Sequence, residues 1–185
     1  MKLKDFLFES TGRSVADLKI DYKGGNFNCA SNELTSLEGA PSHVNGDFDC
    51  FDNELASLKG APSHVGGDFS CRNSTLKSLK GAPSHVGGSF YCHSNELTSL
   101  EGAPSHVDGG FYCHSNKLTS LKDVHKRITE IKGEFYAFKN PINSHVLGLL
   151  LIKGVTEVKL DNKQVEEILN RHLGKGRAGM LMAQE

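Results

Sequence analysis

Apolar and polar positions return along this chain with a period far longer than a helix turn or a strand pleat. From residue 27 to about 140 the text reads Val-x-x-x-Phe-x-Cys-x-x-Asn-x-Leu-x-x-Leu. The unit recurs every 21 residues, marked by Cys29, Cys50, Cys71, Cys92 and Cys113. A sixth unit, Phe135-Tyr136-Ala137, follows a three-residue insertion and puts Ala where Cys stood. A fixed period of this size predicts a solenoid, in which each turn buries its apolar side only against its neighbours. Phe and Cys, two apart, share one face of a short strand. The Asn three residues after Cys sits where the chain leaves that strand, so its amide can bond backbone groups from rung to rung. The two Leu point back inside, and Gly-Ala-Pro makes the next turn. The third unit has Ser74 where Asn32, Asn53, Asn95 and Asn116 stand, with Asn73 one place earlier. A weakened ladder, with a local irregularity or a bridging water, is expected there.

The ends of the array read differently. Lys2 to Glu9 is expected as a short amphipathic helix with Leu3, Phe6 and Leu7 on one side. Leu18, Ile20 and Tyr22 alternate like a strand. Leu147 to Ile152 is expected as a buried strand or helical turn, and Val155, Val158 and Leu160 as strand. Asp161 or Asn162 is placed to cap a helix over Lys163 to Leu173, which Gly174 would end. The chain therefore divides into residues 1–26, an N-terminal cap; 27–140, the array of about six rungs; and 141–185, a C-terminal cap.

The five matching units resemble the leucine-rich-repeat pattern, with Phe and Cys in place of two of its usual Leu. The resemblance covers about residues 27–140. It implies an α/β solenoid with a parallel sheet on its concave face, a helical N-terminal cap and an α/β C-terminal cap. More loosely, the Gly-Gly-Asp-Phe and Leu-Thr-Ser-Leu-Glu-Gly-Ala-Pro text, with the tail Ile168–Leu173 and Met182-Ala-Gln-Glu185, is similar to short repeat proteins of tailed bacteriophages. That likeness implies a phage origin, the cytoplasm of a host cell, and a host protein as the partner to be inhibited or redirected. It implies little about chemistry. Tails in such proteins continue, so the end at Glu185 is read as a truncation.

Residues that alternate with Phe and Cys are expected to face outward, in columns of near neighbours on strands about 4.8 Å apart. Between Phe and Cys the column reads Asn28, Asp49, Ser70, Tyr91, Tyr112, Tyr136. After Cys it reads Ala30, Phe51, Arg72, His93, His114, Phe138, and before Phe it reads Asn26, Asp47, Asp68, Ser89, Gly110, Glu134. Positions identical in every rung answer to the shared packing task, so the varying columns are where a message can be carried. The candidate contact set is Tyr91, Tyr112, Tyr136, His93, His114, Phe138, Phe51 and Arg72, with Asp49 and Asp68 at an acidic end. Exposed aromatics of this kind mark interaction sites and suit a protein partner. The alternatives are aromatics that merely stabilise strands, self-association in a structural or assembly role, and a metal or catalytic site at His93 and His114.

Composition narrows these options. Lys and Arg number 21 against 22 Asp and Glu, a net charge of −1, and the outward columns hold a single Arg, which disfavours nucleic acid. The start has no apolar signal core, and Val146 to Ile152, the longest apolar run, is too short to span a membrane. A cytoplasmic protein with reduced thiols and no membrane partner is expected. There is no phosphate loop, nucleophile elbow or HExxH motif. A Cys92–His93 dyad fails because adjacent strand residues face opposite ways. His43, His64, His85 and His106 are expected in a structural Ser-His-Val turn. The expectation is a non-enzymatic protein without a cofactor, its oligomeric state open.

Overall fold

The computed structural model describes residues 12–184. The helix expected over Lys2–Glu9 lies outside them. Seven short strands, Phe27–Asn28, Phe48–Asp49, Phe69–Ser70, Phe90–Tyr91, Phe111–Tyr112, Glu134–Tyr136 and Glu157–Lys159, stack in chain order into one parallel sheet. The result is a parallel-strand solenoid of about seven turns, one for each strand of that sheet. Register is strict, each Phe opposite the next: Phe27, Phe48, Phe69, Phe90, Phe111 and Phe135. Their rings form a spine with centroids 5.5, 5.3, 5.4, 5.2 and 5.5 Å apart. Cys, both Leu and the Val of each unit close around it, and all five thiols are buried. Each buried Phe contributes about 2–3 kcal/mol of burial.

The return side of each turn corrects one expectation. His43–Val44, His64–Val65, His85–Val86, His106–Val107 and Glu130–Ile131 pair as a second parallel sheet, so the Ser-His-Val segment is strand and not turn. Val faces the core and His faces out. No α-helix occurs between Phe27 and Cys113, so the rungs themselves are β throughout. The chemistry of the segment explains this. Gly60 adopts φ +89°, and a Cβ there would meet the Leu37 carbonyl carbon at 2.7 Å. Pro62 two residues on has no N–H for a helix. Too few residues then remain before the His–Val strand for a helix to form.

The asparagine ladder forms as expected. The Asn53 side-chain amide donates to the Cys29 and Cys50 carbonyls, each at 3.0 Å. Its oxygen accepts the Asn32 and Leu34 amides at 3.0 and 2.9 Å. Asn95, Asn116 and Asn140 repeat the arrangement. At Ser74 the amide ladder skips one rung, as expected, but the large sheet is not distorted there. The register passes straight through, and the Ser74 hydroxyl donates to the Asn53 carbonyl at 2.9 Å. The place two after Cys is left-handed in every rung, and Asn73 fills it at φ 53°, a conformation Asn tolerates well.

Toward the ends, Leu18 closes a 3-10 turn over Val15–Leu18, and no strand forms at Ile20 and Tyr22. The Asp17 carboxylate accepts the Ser14 amide and hydroxyl at 2.8 and 2.9 Å, which starts the turn, and Lys19 at φ 52° leaves it. Short helix α1 (Val124–Arg127) occupies the insertion, and a 3-10 helix spans Val146–Leu151. Strand pairing continues past Asn140, since Val158 stands opposite Phe135. Helix α2 (Lys163–His172) begins at Asn162, whose side chain accepts the Val165 amide at 3.2 Å. It lies along the last strand, where Asn170 takes both the Val158 N–H, at 2.7 Å, and its C=O, at 3.0 Å. The open edge of the sheet is thereby satisfied. Helix α3 (Gly176–Met182) follows.

Candidate functional site

The outer face of the seven-stranded sheet carries the sequence-derived candidates in the columns expected. Phe and Cys are buried, and Tyr91, Tyr112, Tyr136, His93, His114, Phe138, Phe51 and Arg72 lie half-buried on the outside. Half-burial arises because they pack on one another. Tyr91 and Tyr112 stack at 4.8 Å and 9°. Tyr136 meets Tyr112 edge-on at 5.3 Å and 80°. His93 stacks on His114 at 4.3 Å, and His114 on Phe138 at 4.5 Å. Parallel strands in register place like residues one strand spacing apart, close to ring-stacking distance.

Two of the three phenols are tied down. Tyr112 donates to Glu134 at 3.0 Å and Tyr136 to Glu157 at 2.7 Å, each carboxylate coming from the next rung. The Lys159 ammonium sits 4.3 Å from the Tyr136 ring centroid and donates to its hydroxyl at 2.9 Å. Burial, then the bond to Glu134, pushes the Tyr112 phenol well above its ordinary value. Burial, then His114 and Arg72, holds His93 down at about 4. Burial, then Lys139, lowers His114. Both imidazoles are therefore neutral at neutral pH.

The stacked pair is poorly arranged to chelate an ion. Rings 11° from parallel aim their nitrogen lone pairs side by side, whereas a metal needs two that converge at about 2.0–2.1 Å. Each Nδ1 is also 3.2 Å from a serine hydroxyl, Ser94 or Ser115. The thiols are no better placed for chemistry. All five are buried, and burial raises Cys29 to about 12 and the others further. Buried thiols of this kind are inert.

The acidic end behaves differently from its sequence reading. Asn26, Asp47, Asp68 and Ser89 form a second ladder. Asn26 accepts the Asp47 amide at 3.0 Å, Asp47 the Asp68 amide at 2.8 Å, Asp68 the Ser89 amide at 2.7 Å and Ser89 the Gly110 amide at 3.1 Å. One oxygen of Asp68, taken from sequence as a partner contact, is thus spent on the scaffold. The signal was present in the glycine before each of these residues. A Cβ on Gly67 would meet Asp47 Oδ1 at 2.2 Å, and one on Gly88 would meet Asp68 Oδ1 at 2.2 Å. Variation among Asn, Asp and Ser resembled freedom, yet all three are short acceptors doing one task. Asp49 has no such duty. Burial, then Asp47, raises its carboxyl above the ordinary range. Arg72 lies with its guanidinium carbon 4.0 Å over Phe51 and donates to Ser70 at 2.9 Å. Glu134, Glu157 and Lys159 were absent from the candidate set, because their role appears only once the strands are in register.

No helix among the described residues is long and apolar enough to cross a membrane. Comparisons with protein-family models, with curated proteins and with solved structures returned no match.

Proposed function

We propose that the protein is a non-enzymatic binding module that holds another protein on the outer face of its seven-stranded sheet. The contact set is Tyr91, Tyr112, Tyr136, His93, His114 and Phe138. The observation that carries this is the prior ordering of the patch: six aromatic side chains in two adjacent columns, packed ring on ring, with the Tyr112 and Tyr136 hydroxyls tied to carboxylates. Ordering side chains at an interface costs about 0.5–1.5 kcal/mol each, and here the fold has already met that cost. Silent thiols and a non-converging imidazole pair favour binding over catalysis. The likeness to phage repeat proteins makes the proposed partner a host protein, inhibited or redirected when bound.

The test is affinity capture from host lysate, followed by titration of the captured partner. Tyr112→Ala and Tyr136→Ala are expected to weaken binding while the thermal melt stays cooperative. Unchanged affinity in both variants would show that the wrong face has been chosen. Light scattering over a concentration series tests self-association through the same patch, which would appear as mass growing with concentration.

A further inference from the structure

The outer face has a lopsided charge and one free tyrosine ring face. Its columns carry six carboxylates, on Asp47, Asp49, Asp68, Glu134, Glu157 and Asp161, against two cations, on Arg72 and Lys159, while the whole chain is nearly balanced at 22 against 21. Both of those cations already lie on aromatic rings of the face, Arg72 on Phe51 and Lys159 on Tyr136. Tyr91 is different. One side of its ring stacks on Tyr112, and the other looks along the solenoid axis toward Ser70 and Asp49. Ser70, 2% exposed, floors a recess walled by Asp47, Asp49, Asp68, Arg72 and Tyr91.

Asp49 and Tyr91 stand two strands apart, about 10 Å at the backbone. That spacing leaves room for one guanidinium or ammonium between a ring face and a carboxylate, each at ordinary contact distance. Among the described residues, nothing hydrogen-bonds the Asp49 carboxylate. Three carboxylates and one guanidinium, that of Arg72, line the recess, so its formal charge is negative.

We propose that the partner presents a basic segment, one of whose Arg or Lys side chains enters this recess to lie on Tyr91 and pair with Asp49. The proposal rests on the protein-binding function above and names the chemistry of the partner. The face repeats with a foreign cation what it already does with its own two. The flanking apolar part of the segment then runs along Tyr112, His114 and Phe138.

The probes are a short fluorescent peptide of Arg, Leu and Ser and the same peptide with citrulline in place of Arg, titrated by anisotropy. The Arg peptide is expected to bind at least about tenfold more tightly. Asp49→Asn should weaken the Arg peptide about tenfold, Asp49→Arg should abolish its binding, and added salt should weaken it. Tyr91→Leu should weaken it less, since ring and charge act together. His43→Gln, on the other sheet, should change nothing. Asp49 supports no ladder, so its variants should keep the parent's single cooperative melt at neutral pH. Equal binding of the two peptides, or an Arg peptide indifferent to Asp49→Arg, overturns the proposal. If a captured partner is lost with Tyr112→Ala yet unaffected by Asp49→Arg, the basic segment is wrong while the binding face stands. If Tyr112→Ala and Tyr136→Ala also have no effect, both fall.

Discussion

In the early rungs the outer edge of the large sheet is stitched by short acceptors, Asn26, Asp47, Asp68 and Ser89, each reaching the next backbone amide. In the late rungs the same edge is stitched by phenols, with Tyr112 reaching Glu134 and Tyr136 reaching Glu157. Beneath both lies one interior of Phe, Cys, Leu and Val. The difference shows that the scaffold and the outer stitching are separable. The surface can pass from acidic to aromatic along the axis without disturbing the register. The outward column changes from acid to aromatic at Ser70 and Tyr91, where the recess lies, and the acceptor ladder runs on to Gly110, on the rung where Tyr112 begins the phenol tethers.

If the interior is shared, core damage should cost the same in both halves. Phe69→Ala and Phe111→Ala should each destabilise by about 3–5 kcal/mol, measured by urea denaturation. Both rings are fully buried between like neighbours. A Phe111→Ala cost well below that of Phe69→Ala would mean that the late rungs draw stability from their outer aromatics instead.

The two kinds of stitching should respond differently to an added methyl group. Gly67→Ala drives a Cβ toward Asp47 Oδ1 at 2.2 Å and the Gly46 carbonyl carbon at 2.8 Å, so backbone must move. A cost of about 1–3 kcal/mol is expected. Gly110→Ala meets only the Tyr112 ring among its nearest atoms, the hydroxyl at 2.5 Å, and a side chain can swing away. It should cost less and should loosen the Tyr112–Glu134 bond. Thermal melts of the two variants decide the order, and the reverse order would mean that the phenol tether is the stiffer of the two.

Much of this interior was legible in the chain itself. Cys29 to Cys113 at a fixed spacing, with Phe two places before each, dictates a turn of constant length and an inward face. The asparagine ladder followed from one residue type at one place. What the sequence concealed were relations between rungs. His64 and Val65 look like turn residues until pairing with the next rung makes them strand. Asp47 and Asp68 look like free surface acids until the neighbouring amide is in place above a glycine. The aromatic columns were readable because alternation in a strand is local. Their tethers were not, since Glu134 is joined to Tyr112 only by the inserted residues between them.

Position 74 offers a gentler test, because it interrupts the one ladder that both halves share. Ser74→Asn should place an amide between the Cys50 and Cys71 carbonyls, as Asn95 does between Cys71 and Cys92. It forfeits the hydroxyl bond to Asn53. A gain of about 0.5–1.5 kcal/mol is expected from chemical denaturation. A loss would show that the Ser74 bond is worth more than a complete ladder at the junction of the two regions.

The smallest effect is a difference in sign between the halves as pH changes. His93 is held at about 4 in the folded protein, chiefly by burial, against about 6.5 in the unfolded chain. Between those values the unfolded state binds more protons, so the contribution of His93 is complete above about 6.5 and is lost as pH falls toward about 4. His114, also lowered by burial, adds in the same direction. Asp49 is raised by burial and Asp47, so the folded state holds its proton to higher pH than the unfolded state does. Its contribution therefore runs the other way, and the acidic half gains as pH falls toward the carboxylate range. Melting temperatures from pH 4 to 8 should fall more gently on acidification in His93→Gln than in the parent, and more steeply in Asp49→Asn. A His93→Gln slope equal to that of the parent would mean that the imidazole stack is solvated, and a patch of wet rings is not a preordered surface for a partner.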